Sequence, residues 1–155
     1  MIDMLIENLL TNLSWNSDLI DQLDAIRILT DRDDYDLHLL IQPLNKTCWE
    51  NAAKVLKNKG VEKTKVILDD LFIVLQDMNW PGSVTVRELL QEYPKNLFLP
   101  AYQKALSNAI ANNDEQWFAN MSIFVGSGKV QESDIANKEL YRQLYKEYID
   151  MWVNP

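Results

Sequence analysis

An apolar run at helical spacing, broken at a single tryptophan–proline pair, limits the folds open to this chain. Ile67, Leu68, Leu71, Phe72, Val74, Leu75 and Met78 sweep about 160° of a helix at 100° per residue. So wide an apolar arc predicts a helix over 61–78 that is covered from more than one side. Leu75-Gln76-Asp77-Met78-Asn79-Trp80-Pro81-Gly82 then closes it and opens another over 81–92. Pro81 suits the first turn of that helix, where its missing N–H costs nothing, and it biases Trp80 away from helical angles. Asn79 is the expected cap. Trp80 is expected to wedge its indole between the two helices. These are the requirements of an αα-hairpin corner, and they carry no chemistry.

The flanking segments continue the pattern. Ile2, Leu5, Ile6, Leu9, Leu10 and Leu13 mark a first helix over 2–13. Asn16 or Ser17 is placed to cap a second, with Leu19, Ile20, Leu23, Ile26 and Leu29 as its apolar face. A polar break at Asp31–Asp36 leads to a short helix over 35–41 that Pro43 ends. Residues 46–58 form the next helix, with Gly60 just beyond its end. Further helices are expected at 98–112, 114–125 and 133–152, with a turn at Gly126-Ser127-Gly128. Nothing alternates with a strand period, so the expected fold is all-α. Asp77-Met78-Asn79-Trp80 recurs as Asp114-Glu115-Gln116-Trp117, 37 residues on. A two-helix period of that length suits a HEAT-like α-solenoid, a stack of helical hairpins with roughly 7–9 helices.

The corner and its upstream helix resemble a small bacterial family known as domain of unknown function 5071. Its members share a leucine-rich helix, an LQDxNWP-type corner and a later D-x-x-W helix opening. Here these are Leu68-Asp69-Asp70-Leu71 through Trp80-Pro81, and Asp114 through Trp117. Leu40-Ile41-Gln42-Pro43 sits where the family tends to begin, and Leu56-Lys57-Asn58-Lys59-Gly60 suits the turn before its main helix. The resemblance covers about residues 38–130. It implies a HEAT-like helical core and no assigned activity. Two departures stand out: residues 1–36 form an extension, and Phe118-Ala119-Asn120 replaces a second tryptophan. The chain then reads as one domain: an acidic helical extension, a family-like core, and a C-terminal aromatic helix within 131–155.

Charge is uneven along the chain. The first 40 residues hold nine acidic side chains against Arg27 and Arg32, and the whole chain has a net charge of −8. Lys46, Lys54, Lys57, Lys59, Lys63 and Lys65 face only Glu50 and Glu62 in their stretch. Nucleic acid is a poor partner for such a chain, since phosphate contacts supply most non-specific affinity. A basic protein or peptide is a better one. Equally, the acidic quarter can pack beside the lysine-rich segment of its own chain. Residues 1–3 lack a basic leader pattern, and the longest apolar run, Leu71–Leu75, is far short of a membrane span. With one cysteine, Cys48, a cytoplasmic setting and no membrane association are expected.

Catalytic patterns are sparse. His38 is the sole histidine and lies ten residues from Cys48; the pair is formally possible, but an inert buried thiol and a partly buried surface histidine are the expectations. Asp31–Asp36 imitates a calcium loop, yet Asp36 stands where the sixth-position glycine belongs. No catalytic, metal or cofactor residues are assigned. Asp69, Asp70 and Asp77 share a polar helix face that either lines a groove or is simply solvated. Tyr141, Tyr145, Tyr148 and Trp152 form an aromatic stripe that either docks the last helix on its own domain or offers a partner surface, a homodimer included. The expected function is a non-enzymatic interaction module, in its sharper form an immunity-type inhibitor of a basic partner. A carboxylate-based hydrolase and a structural homo-oligomeric subunit are the alternatives.

Overall fold

A computed structural model describes residues 3–41 and 44–155; Ile2, Gln42 and Pro43, which the sequence reading used, lie outside them. Among the described residues there are helices and turns and no strand. The α-helical segments are α1 (Met4–Asn12), α2 (Leu19–Asp31), α3 (Trp49–Lys59), α4 (Val61–Thr64), α5 (Leu68–Ile73), α6 (Ser83–Glu92), α7 (Lys95–Ala111), α8 (Glu115–Met121), α9 (Ile123–Gly126) and α10 (Lys138–Tyr148). Short 3₁₀ turns join α4 to α5 and extend α5 to Gln76, so Val61–Gln76 reads as one broken helix. Counted that way, with α8 and α9 as one unit, eight helical units make an all-α stack.

The stack is ordered from one end to the other. α1 and α2 form a hairpin, α2 packs on α3, and α3 packs on α6. The α5 unit then meets α6 on one side and α7 and α8 on the other, and α10 closes the far end against α8 and α9. One hydrophobic core runs from Ile6 to Leu144. Its densest part surrounds α5. Ile67, Leu71, Phe72 and Leu75 are buried there, as the wide apolar arc predicts. Phe72, Phe98, Tyr102 and Phe124 form a closed aromatic cluster with ring centroids 5.0–6.3 Å apart. Such edge-to-face and stacked pairs add to area burial because ring edges and faces carry opposite partial charge.

The corner differs from expectation in an informative way. Pro81 does not open a helix. Trp80-Pro81-Gly82-Ser83 is a type II turn, with the Ser83 N–H donating to the Trp80 carbonyl (3.1 Å) and Gly82 at φ +85°, ψ −8°. Proline at the second position and glycine at the third are what that turn demands. Asn79 is exposed and does not cap α6; Asp77 instead accepts the Asn79 N–H at 2.8 Å. Gly82 is needed twice over. A Cβ there would stand 2.7 Å from the Trp49 carbonyl oxygen and 2.9 Å from Ala53 Cβ. Glycine therefore lets α6 start directly against α3, and Glu50 accepts the Gly82 N–H across that contact (3.0 Å).

The two tryptophans paired by the 37-residue register do different jobs. Trp80 is half-buried and meets Trp49 edge-on at 5.6 Å. Trp117 is 3% exposed. Asp114 caps α8 by accepting the Trp117 N–H (3.0 Å), and the Trp117 indole donates to the Phe72 carbonyl (2.9 Å). Asn120, one turn on, donates to the Leu75 carbonyl (2.8 Å). Asn120 thus supplies a donor to a carbonyl at the end of the helix, and Trp117 adds a second donor to the Phe72 carbonyl, which the Val74 N–H also reaches. Trp80, expected to wedge between the two helices, is only half-buried there, and Trp117 is the fully enclosed indole of the two.

Other boundaries moved for identifiable reasons. α7 begins at Lys95 and carries Pro100 inside it, which deprives the Asn96 carbonyl of its usual donor. α10 begins only at Lys138, where Asn137 accepts the Leu140 N–H (3.1 Å). The cap of α2 is Asp18, not Asn16 or Ser17, and no side chain bonds there. Leu19, Ile20 and Leu23, expected to face the core, are exposed; Ala25 and Leu29 are the residues α2 buries.

Urea denaturation tests the unequal corners. Trp117→Ala should cost about 3–5 kcal/mol and Trp80→Ala about 1–2 kcal/mol, following their burial. Gly82→Ala should cost about 2 kcal/mol or more, from the positive φ together with the clash on α3.

Candidate functional site

Two of the three acidic residues singled out in the sequence stand in one groove. An open groove of about 620 Å³ runs between the α4–α5 unit and α7. Asp69 and Asp70 line one wall, and Pro100 and Lys104 line the other. Val66 and Ile73 leave apolar surface along it, and Trp117 contributes to its floor. The 3₁₀ turn Lys65–Ile67 between α4 and α5 forms part of one wall, and Pro100 within α7 forms part of the other.

Both carboxylates are already engaged. Asp69 pairs with Lys104 across the groove at 2.7 Å, and this neighbour raises the lysine's pKa. Asp70 accepts from His38 Nε2 at 2.9 Å, while His38 Nδ1 meets Asp36 at 2.8 Å. The imidazole is thus clamped between two carboxylates, which sequence spacing alone did not foreshadow. The Asp36 hydrogen bond, helped by the charges of Asp36 and Asp70, raises the His38 pKa against the opposing effect of burial. Asp77 lies outside the groove and serves the corner turn. Cys48 is buried, its thiol directed at the Leu10 carbonyl (3.5 Å) and its pKa raised by burial. With both His38 nitrogens held by aspartates, the structure does not bring Cys48 and His38 together.

The calcium-like loop is similarly occupied by its neighbours. Asp33 binds Lys59 and Lys63 (3.3 and 2.6 Å), and Asp34 binds Arg32. Lys59, its side chain only 1% exposed, also donates to the Thr30 and Arg32 carbonyls at the end of α2 (3.2 and 2.5 Å). Lys129 does the same for α6, donating to the Gln91 and Tyr93 carbonyls while its ammonium sits 5.3 Å from the Phe98 ring centre. A cation at a helix C-terminus is favoured by the helix dipole. Neither lysine stood out in the sequence, since nothing local marks a long side chain that reaches back to another helix.

The aromatic stripe is divided between two roles. Leu144 is fully buried, and Leu140 and Tyr141 pack on the core. The Tyr148 ring occupies the space where Gly126 has no side chain. Trp152 is half-buried beneath the Arg87 guanidinium, 5.8 Å from its ring centre. Tyr145 is the exposed member. Tyr141, Tyr145 and Ile149 line a second, shallower depression of about 610 Å³. Most of the stripe therefore docks α10 to its own domain.

The His38 clamp predicts a pH dependence with a defined sign. Its folded-state pKa is raised, so its contribution to stability is complete below the unfolded value of about 6.5. That contribution is lost as pH rises through the folded value. The melting temperature of the wild type should exceed that of His38→Gln most at pH 5.5, and the gap should shrink by pH 8.5. A gap that is constant, or that widens with pH, contradicts the clamp.

No helix of the described residues is long and apolar enough to cross a membrane. No curated protein and no solved structure matches the chain. A family model does, described as domain of unknown function (DUF5071), over residues 41–149. The match spans the broken helix, the corner, the groove and all of α10, and it begins just after the acidic extension. On that match the chain belongs to the DUF5071 family.

Proposed function

We propose that this chain is a non-enzymatic, HEAT-like protein-interaction module of the cytoplasm whose acidic N-terminal quarter receives a basic protein or peptide, as an immunity-type inhibitor does. The supporting observation is charge left uncompensated. Of nine acids in the first 40 residues, Asp33 alone reaches the lysine-rich segment. Asp3, Asp24 and Asp34 turn to the arginines of their own quarter, and Asp36 turns to His38. Glu7, Asp18, Asp21 and Asp31 make no ion pair among the described residues, and each is exposed. Meanwhile Lys57 and Lys65 are committed to Glu88 and Glu62. Neutralisation by the lysine-rich segment is therefore confined to Asp33, and Glu7, Asp18, Asp21 and Asp31 leave an unpaired acidic field facing outward, where it can steer a basic partner.

One observation favours a second reading, a carboxylate-based hydrolase: Asp69, Asp70 and Lys104 stand in a single groove, with His38 bonded to Asp70. The cations already holding both carboxylates weigh against it. Hydrolysis of a substrate by the wild type that Asp70→Asn abolishes would reverse the order of the two readings.

Co-expression with the products of neighbouring reading frames tests the first. The expected result is a stoichiometric complex that dissociates as salt rises from ~0.05 to ~0.5 M, where screening shortens the reach of surface charge several-fold. No complex with any neighbour, or one indifferent to salt, contradicts it.

A further inference from the structure

We infer that the outer face of α2, formed by Leu19, Ile20 and Leu23 beside Trp15, is the docking site for a basic amphipathic helix of a partner protein. This rests on the interaction reading above and gives it a surface. Leu19, Ile20 and Leu23 are 68%, 73% and 57% exposed, and Trp15, just before the helix, is 49% exposed. At 100° per residue the three aliphatic side chains fall within about 100° of one another on the helix. Single exposed leucines are ordinary, but three large aliphatic side chains exposed on one face of a helix mark an interaction surface. The platform beneath is fixed. Asn51 of α3, itself buried, donates to both Gln22 and the Leu13 carbonyl (2.9 and 2.8 Å), and the Trp15 N–H donates to the Thr47 carbonyl (3.0 Å).

Charge selects the occupant. Asp18 and Asp21 flank the stripe on either side, each about 100° around the helix from its edge, exposed and without an ion-pair partner among the described residues, while Asp24 at the edge is paired with Arg27 (3.6 Å), the one cation on this face of α2. A second copy would set one acidic quarter against another, and an anionic lipid surface would be repelled for the same reason. A helix with apolar anchors at i, i+3 and i+4 and flanking Lys or Arg satisfies both the stripe and its rim.

Fluorescence anisotropy with a labelled synthetic helix, leucine on one face and lysine on the other, tests this on the whole chain. The wild type should bind it, more weakly as salt rises. Ile20→Gln/Leu23→Gln changes no charge and disturbs no buried side chain, and it should weaken binding about tenfold or more, the scale of one or two lost apolar contacts. Asp18→Asn/Asp21→Asn should weaken binding and flatten the salt dependence. A leucine/glutamate helix should not bind, and Lys104→Ala in the groove should leave affinity unchanged. Several results overturn the inference: no binding by the wild type, equal binding by Ile20→Gln/Leu23→Gln, binding of the leucine/glutamate helix, an Ile20-dependent dimer in sedimentation, or Ile20-dependent binding to phosphatidylserine vesicles. A salt-sensitive complex in co-expression that survives Ile20→Gln/Leu23→Gln would remove this surface and leave the interaction reading standing.

Discussion

The enclosure of α5 is the constraint on which the rest of the stack depends. Phe72 puts one ring into contact with Phe98 and Tyr102 of α7 and with Phe124 of α9. The carbonyls at the end of the same helix are taken by side chains of α8, Trp117 on Phe72 and Asn120 on Leu75. Apolar packing and polar capping thus converge on one turn of helix from three different segments. The Phe72 carbonyl also accepts from the Val74 N–H, whereas the Leu75 carbonyl, without Asn120, would stand buried and unmet at a cost of about 1–3 kcal/mol. That is why a tryptophan and an asparagine, both buried, serve the fold better here than two aliphatic residues would.

The stack is unequal from end to end. Its inner part, from α3 to α10, falls almost entirely within the DUF5071 match and holds nearly all the large buried side chains. The outer hairpin of α1 and α2 lies before the match, yet it is not a loose appendage. Leu13, Ala25 and Leu29 enter the common core, and Asn51, Thr47 and Lys59 reach across to its backbone. What differs is its outer face, where Leu19, Ile20 and Leu23 stay exposed and Asp18 and Asp21 make no ion pair among the described residues.

Much of this was legible in the sequence, and the failures share a cause. Periodicity identified the apolar arc of 61–78 because packing on several sides leaves a wide stripe that local counting can find. The same counting placed Leu19, Ile20 and Leu23 in the core, since it reports that a helix has an apolar face and not whether anything covers it. The corner string was recognised as a break, but Pro81 and Gly82 fit a helix start and a type II turn equally well until φ at Gly82 is known. Pairing Trp80 with Trp117 by spacing equated two indoles with different surroundings. The groove was half legible: Asp69 and Asp70 were visible as a polar face, whereas Lys104 and His38 come from elements 34 and 32 residues away from Asp70, a distance no local pattern spans.

Native-state hydrogen exchange tests the central claim most directly, because it reads the stability of each segment without altering a residue. If the enclosed α5 holds the stack together, the amides of Phe72 and Leu75 exchange only through global unfolding, together with those of α7 and α8. The α1 and α2 amides should open at lower free energy. Exchange of the α5 amides at lower free energy than those of the outer hairpin would contradict the account.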